Sequence, residues 1–308
     1  MTLPRYAFFK GQVVPYAEAR VGVLTHSLNY GTAVFGGMRG YYNHQEDQLY
    51  VFRPQDHLKR FLQSTRLLRM ELAYDTEALL RGMLDLLRAE GHRQDCYIRP
   101  LAFYADEMIG VRIHDLHAEV SIVAIPYGPY IAHEEGAHLG VSSWRRVDDN
   151  VIPARGKIAG AYVNSALAKS DAVRAGFDDA ILLNHDGHVC EGSAANIFVI
   201  REGVALTPPV TDNILEGITR KTLISLLREE LGVQVLERRI DRSELYVADE
   251  VLLVGTGVQV CAVTRIDHRP IADGQMGPIT RSLRDLFFRI VRGQVDKYRD
   301  WLLPVYEK

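Results

Sequence analysis

Cysteine is scarce in this chain. Cys96, Cys190 and Cys261 lie far apart and form no C-x-x-C pair, so neither a disulfide framework nor a cysteine-built metal site is predicted. A reducing, cytoplasmic setting suits that usage. Long apolar runs are missing as well: no stretch is long enough to span a bilayer, and the opening MTLPRYAFFKGQ lacks a charged head followed by an apolar run. The chain is therefore expected to be soluble and untargeted, with no membrane partner. Blocks of one charge sign are absent too. The 36 basic and 39 acidic residues are dispersed and leave a net charge of -3, which argues against nucleic acid as a partner and for a small molecule. No internal repeat or low-complexity segment is visible.

Several catalytic signatures are also missing. Gly255-Thr256-Gly257 lacks the third glycine of a dinucleotide fingerprint and leads into a strand-like pattern rather than a helix. Gly156-Lys157 is no P-loop, because Val151 stands where that motif requires glycine. There is no G-x-S-x-G elbow, and Ser193 reads as a loop serine beside a strand. His185-x-x-His188 straddles a turn with no third ligand close by, and Asp148-Asp149 reads as a polar turn before Asn150, so no metal is expected.

With 308 residues, 47% of them hydrophobic, the chain can bury two medium cores, and two domains are expected. In residues 1–125, strand patterns cover Tyr6 to Val14, Ala33 to Tyr42 and Leu49 to Phe52. Helices over Asp56 to Met70 and Thr76 to Glu90 follow, then strands over Cys96 to Phe103 and Val120 to Ile125. The run Pro126-Tyr127-Gly128-Pro129-Tyr130 opens a linker over 126–138. Residues 139–308 form the second domain. It begins with a strand over 139–147 and a helix spaced through Val163, Ala166, Leu167, Ser170 and Val173 that stops at Gly176. Strands at Ala180 to Leu183, His188 to Gly192 and Asn196 to Ile200 are joined by tight turns. A helix opening at Leu215-Glu216-Gly217, strands at Val233 to Ile240, Glu250 to Val254 and Val258 to Arg265, and a helix started by Pro278 complete it.

Within this pattern a few residues stand out chemically. Lys157 sits among Val151, Ile152, Pro153, Ile158, Ala159 and Gly160, company that desolvates an amine and makes it a nucleophile; a lysine entering a helix at the surface has the same spacing. Glu191 is an acid inside a strand pattern, costly to bury without a cationic partner, although an edge-strand glutamate facing water fits as well. Gly217, Ile218 and Thr219 open a helix whose first N–H groups suit an anion, as any capped helix start would. Arg60 falls off the apolar stripe of its helix and reads as solvated.

Taken together, Lys157 through Tyr162, EGSAANIF at 191–198, LEGITR at 215–220 and GT at 255–256 resemble the pyridoxal-phosphate enzymes of fold type IV, and among them most closely the branched-chain aminotransferases. NYGTAVFGGMRGY at 29–41, FRPQDHLKRFLQS at 52–64, YIRPL at 97–101 and IGV at 109–111 extend the resemblance over nearly the whole chain. It implies a two-domain α/β protein of the α+β type, with a small N-terminal sandwich and a larger C-terminal pseudo-barrel, assembled as a homodimer. The implied reaction is transamination between branched-chain L-amino acids and 2-oxoglutarate, using pyridoxal 5'-phosphate. Lys157 would hold the cofactor as a Schiff base and shuttle the proton. Glu191 would face the pyridine nitrogen and gain its cationic partner there. Tyr162 would donate to the phenolic oxygen, Leu215 would pack on the ring, and Arg60, Gly217, Ile218, Thr219 and Thr256 would form the phosphate site.

For substrates, amino acids and 2-oxo acids, the resemblance places the α-carboxylate against the Tyr97 hydroxyl and the N–H groups of Thr256 and Gly257. Tyr30, Phe35, Gly37, Tyr127 and Tyr130 would line the side-chain pocket, Arg99 would meet a second carboxylate, and Val111 would reach the neighbouring subunit. One departure is Gly36, where many relatives carry an acid in F-E-G. Its loss predicts a less tightly paired Arg39, a wider pocket and a donor range extending to (R)-amines. A D-amino acid aminotransferase, an aminodeoxychorismate lyase or a carrier without turnover would keep Lys157, Glu191 and the phosphate site.

Overall fold

Alternating β-rich and helical segments run through the chain, and the computed structural model describes residues 3–128, 131, 133 and 135–307 of it. Strands β1 (Tyr6–Phe9) and β2 (Gln12–Pro15) come first, then helix α1 (His26–Tyr30) and strands β3 (Ala33–Phe35), β4 (Met38–Asn43) and β5 (Gln48–Phe52). Helices α2 (Pro54–Leu67) and α3 (Thr76–Glu90) precede β6 (Cys96–Tyr104), β7 (Ala118–Pro126) and β8 (Ala137–Arg145). Next are α4 (Tyr162–Arg174), β9 (Asp179–Leu183), β10 (Val189–Gly192), β11 (Asn196–Arg201) and β12 (Val204–Thr207). The chain closes with α5 (Ile218–Glu229), β13 (Val235–Glu237), β14 (Glu250–Gly255), β15 (Gln259–Ile266), β16 (Arg269–Pro270), α6 (Pro278–Val291) and β17 (Leu302–Pro304).

Two compact units emerge: Met1–Gly128 with Gly156–Gly160 and Arg289–Lys308, and Pro129–Arg155 with Ala161–Phe288. Neither is contiguous in sequence, whereas the expectation assigned all of 139–308 to the second domain. Backbone pairing accounts for the difference. β17 hydrogen-bonds antiparallel to β5, and the Arg292 guanidinium pairs with Asp95 at 2.8 Å. The Phe35 N–H donates to the Lys157 carbonyl at 3.0 Å and the Gly160 N–H to the Gly31 carbonyl at 3.0 Å.

In the first unit the sheet runs β17-β5-β4-β6-β7-β1-β2, with β3 added on β6. Its helices bury Leu58, Phe61 and Thr65 of α2 and Leu79, Met83, Leu86 and Leu87 of α3, while Leu62 and Leu80 are half-buried. Asp75 caps α3 by accepting from the Ala78 N–H, and Gly91 closes it in a left-handed conformation (φ 64°). The expected strand from Ala33 to Tyr42 is two strands, broken at Gly36-Gly37.

The second unit's sheet runs β10-β9-β8-β15-β14-β11-β12-β13, with β16 on β15. Its core is aliphatic, with Leu139, Ile181, Ile197, Leu253 and Val263 fully or almost fully buried. α4 presents Ser165, Ala168 and Ala172 inward, small residues that let it lie close on Ala180 and Leu182. Val163, Leu167 and Val173, whose spacing predicted that helix, face outward. The strand expected from Val233 to Ile240 shrinks to Val235–Glu237, a parallel edge strand on β12.

Candidate active site

Lys157 lies in an extended step rather than a helix. Val34 bridges to Ile158, and the Lys157 N–H lies 3.4 Å from Ser64 Oγ. Gly31 and Gly160 allow this pairing, because a Cβ on Gly31 would fall 3.0 Å from the Gly160 Cα. The Lys157 amine stands 5.0 Å from the centre of the Phe35 ring, and the Arg99 guanidinium stands 4.5 Å from it. Arg60 is half-buried on α2, one turn from His57 and Ser64; Ser64 Oγ donates to the Arg60 carbonyl at 2.9 Å. Among the described residues His57 Nδ1 is buried and lacks a hydrogen-bond partner. Burial, reinforced by the positive charges of Arg60, Arg53 and Lys157, holds this imidazole well below its usual range.

Strand alternation puts Tyr97 and Arg99 on the open face of β6, while Cys96, Ile98 and Pro100 face the core. Arg99 Nη2 donates to the Tyr97 hydroxyl at 3.2 Å, and the rings of Tyr97 and Tyr127 lie 5.3 Å apart. A Cβ at Gly37 would come within 2.1 Å of the Tyr97 hydroxyl, so this position leaves the phenol its room. Arg39 sits opposite Tyr97 in the β4–β6 register. Its Nη2 donates to the carbonyls of Tyr127 and Gly128 at 2.9 and 3.0 Å, and the rings of Tyr41 and Tyr127 flank it. Tyr30 accepts the Gly110 N–H at 2.9 Å, which fixes the loop carrying Ile109 and Val111, both exposed (70% and 81%). Tyr130 lies outside the described residues.

In the second unit Glu191 is buried on β10 beside a bulge. Its Oε1 lies 2.9 Å from Arg146 Nη2, and its Oε2 accepts from Asn196 Nδ2 at 2.9 Å and from the Leu215 N–H at 3.2 Å. Arg146 thus gives Glu191 a cationic partner within the protein. Arg146 and Asn196 were missed by sequence reasoning as partners of Glu191. A pair of arginines ending a strand, one of which must point inward, was the available signal.

Gly217 is the N-cap of α5 with no side-chain cap, so the N–H groups of the buried Ile218 and Thr219 begin the helix unassisted. Leu215, half-buried, accepts the Gly217 N–H and the Asn196 amide through its carbonyl. Thr256 and Gly257 form the tight turn between β14 and β15, whose ends pair as Gly255 with Gln259. Tyr162 is the first residue of α4, reached through the short turn Ala159–Ala161. No group of His, Cys, Asp or Glu able to hold a metal is found among the described residues.

The sequence pattern described as "Amino-transferase class IV" matches residues 33–266. The chain belongs to the class IV aminotransferases. Over 303 residues it is 48% identical to a protein of Aquifex aeolicus named "Probable branched-chain-amino-acid aminotransferase", covering 98% of this chain and 97% of that one. It is similar to the branched-chain aminotransferase of Thermoproteus uzoniensis solved with norvaline, with TM-score 0.94, 43% identity and coverage of 98% and 100%. It is equally similar in fold to the branched-chain amino acid aminotransferase of Thermobaculum terrenum in its PLP form, with TM-score 0.94, 39% identity and full coverage of both chains. As a class IV aminotransferase it is a transferase of mixed α/β fold. These relatives do not favour a lyase, a D-amino acid enzyme or a carrier.

Proposed function

We propose that this class IV aminotransferase exchanges the amino group between branched-chain L-amino acids and 2-oxoglutarate with pyridoxal phosphate as cofactor. The donor set fits that group. Lys157 supplies a primary amine for its aldehyde carbon, Glu191 a carboxylate for its ring nitrogen, and Tyr162 a phenol for its ring oxygen. Arg60, Thr256 and the N–H groups of Ile218 and Thr219, with Gly217 as the turn that opens the helix, supply cationic, hydroxyl and backbone donors for its phosphate. The start of α5 has no side-chain cap, which suits its first N–H groups to an anion. When bound, the cofactor supplies an electron sink for charge developing at the substrate α carbon.

The protein's own residues do the rest. Lys157 Nζ takes the proton from the α carbon and returns it. Glu191 holds a proton on the ring nitrogen, and Leu215 orients the ring. The Tyr97 hydroxyl and the N–H groups of Thr256 and Gly257 bind the α-carboxylate. Arg99 over Phe35 is the observation that carries the substrate reading: an aromatic wall for an apolar side chain, with an exposed guanidinium that a second carboxylate can engage. Tyr30, Gly37, Arg39 and Tyr127 complete the pocket. Val111 reaches a second copy of the chain in a cytoplasmic homodimer. Val23, Leu24, Leu28 and Ile109 are exposed as well, and the Leu24 carbonyl accepts the Met108 N–H, so apolar side chains suited to that role are available on both segments.

The test is the visible spectrum of the purified protein with pyridoxal phosphate, titrated with L-leucine and then 2-oxoglutarate. Leucine should bleach the band of the bound cofactor and 2-oxoglutarate should restore it. A response to D-alanine or an (R)-amine alone would move the substrate assignment, and no band at all would overturn the reading.

A further inference from the structure

Glu191 sits at the inner end of a hydrogen-bonded chain that reaches the surface. Arg146 Nη2 contacts Glu191 Oε1 at 2.9 Å, both side chains being more than nine-tenths buried. Arg146 is pinned in turn: its N–H donates to the Leu183 carbonyl at 2.8 Å and its Nε to the Asn213 carbonyl at 3.1 Å. Asn213, held in the left-handed region (φ 62°), donates through Nδ2 to Asp148 Oδ1 at 2.7 Å. The other oxygen of Asp148 pairs with the exposed His185 at 2.9 Å.

We infer that Arg146 is a positioning residue for transamination, keeping Glu191 ionised and aimed so that Glu191 holds a proton on the cofactor's ring nitrogen; the inference rests on the function proposed above. A buried carboxylate stays charged when a fixed cation compensates it, and removing the cation leaves proton uptake as the cheaper state. A neutral Glu191 accepts poorly and no longer keeps the ring nitrogen protonated. Two neighbouring donors do not replace that cation. Asn196 and the Leu215 N–H are neutral donors. Asp148 and Asp212, whose charges act on the adjacent Cys190, are negative and paired with His185 and, at 3.3 Å, with Arg239. Without Arg146 they push Glu191 further towards its protonated form.

The test compares the full-length, cofactor-loaded wild type with Arg146→Met, Arg146→Lys, Glu191→Gln and the double variant Arg146→Met/Glu191→Gln. Arg146→Met should lower kcat near neutral pH by on the order of 10–100-fold, the range found when a partner of a site ligand is lost. KM for leucine should stay within about twofold, since the loss falls on the chemical step. The deficit should shrink as pH rises and Glu191 ionises again, and the pH midpoint of the bound cofactor's absorption should move with it. Lysine should restore part of kcat, and Arg146→Met should add nothing on top of Glu191→Gln. A deficit equal at every pH, or a further loss in the double variant, would make Arg146 a structural bridge only. If Arg146→Met fails to fold, Arg146→Lys carries the same test through its pH profile. A wild type without a cofactor band would bring down the underlying functional reading, whereas an active wild type with a pH-independent variant would overturn this inference alone.

Discussion

A Cβ placed on Gly217 would lie 2.1 Å from Asn196 Oδ1. Asn196 cannot simply retreat, because its Nδ2 serves both Glu191 Oε2 and the Leu215 carbonyl at 2.9 Å. Gly217→Ala should therefore disturb the carboxylate and the start of α5 together. The expected cost is about 1–3 kcal/mol of stability, with cofactor affinity falling by roughly tenfold or more for the lost donors. Urea unfolding and titration of the apoprotein with pyridoxal phosphate check both.

Lys157→Ala separates chemistry from fold. The backbone of this residue makes the local pairing, through its carbonyl to the Phe35 N–H, and that survives truncation. Stability should change by about 1 kcal/mol or less, while the leucine half-reaction disappears. Single-turnover absorbance and a melting curve on the same sample distinguish the two.

His57 adds a pH dependence of stability. Its folded pKa is depressed by burial and by Arg60, Arg53 and Lys157, so its stabilising contribution is full above the unfolded value and is lost as pH falls. Below about pH 6.5 the unfolded chain takes up the proton first, and this group alone steepens the loss by up to about 1.4 kcal/mol per pH unit. In His57→Gln the slope between neutral and mildly acidic pH should be shallower. Chemical denaturation at several pH values reads it directly, and equal slopes would reject the assignment.

Gly36→Glu tests the departure from F-E-G. A Cβ here would lie 2.6 Å from Cγ of the Pro100 ring, which cannot swing away, and the Gly36 N–H donates to the Pro100 carbonyl at 2.8 Å. The variant should lose about 1–3 kcal/mol. The rate ratio between leucine and (R)-1-phenylethylamine, compared with that of the wild type, tests whether Gly36 broadens the donor range; an unchanged ratio discards that idea.

Much of the fold was legible because its signals are local. The helices expected over Asp56 to Met70 and Thr76 to Glu90 appear as α2 and α3, and the strand expected over Cys96 to Phe103 as β6. α4 shows the limit. Its spacing announced a helix, but alanines rather than the larger aliphatics face the sheet, since close packing favours small side chains there. β13 is shorter than its pattern because only Val235–Glu237 finds a partner on β12. Arg60 read as solvated, yet it is half-buried on the turn that also carries His57 and Ser64.

The sequence by itself determined the residue types and their order: an amine at 157, a carboxylate at 191, a glycine-opened helix at 217 and a turn at 255–257. Those depend on composition and short-range spacing, which a linear chain displays openly. Only the tertiary structure decided that Glu191 pairs with Arg146, that Asn196 joins Glu191 to Leu215, and that 156–160 and the last residues fold with the first unit. Such pairings join residues that are distant in sequence. Their strength comes from burial and hydrogen-bond geometry, and neither exists until the strands carrying them are in register.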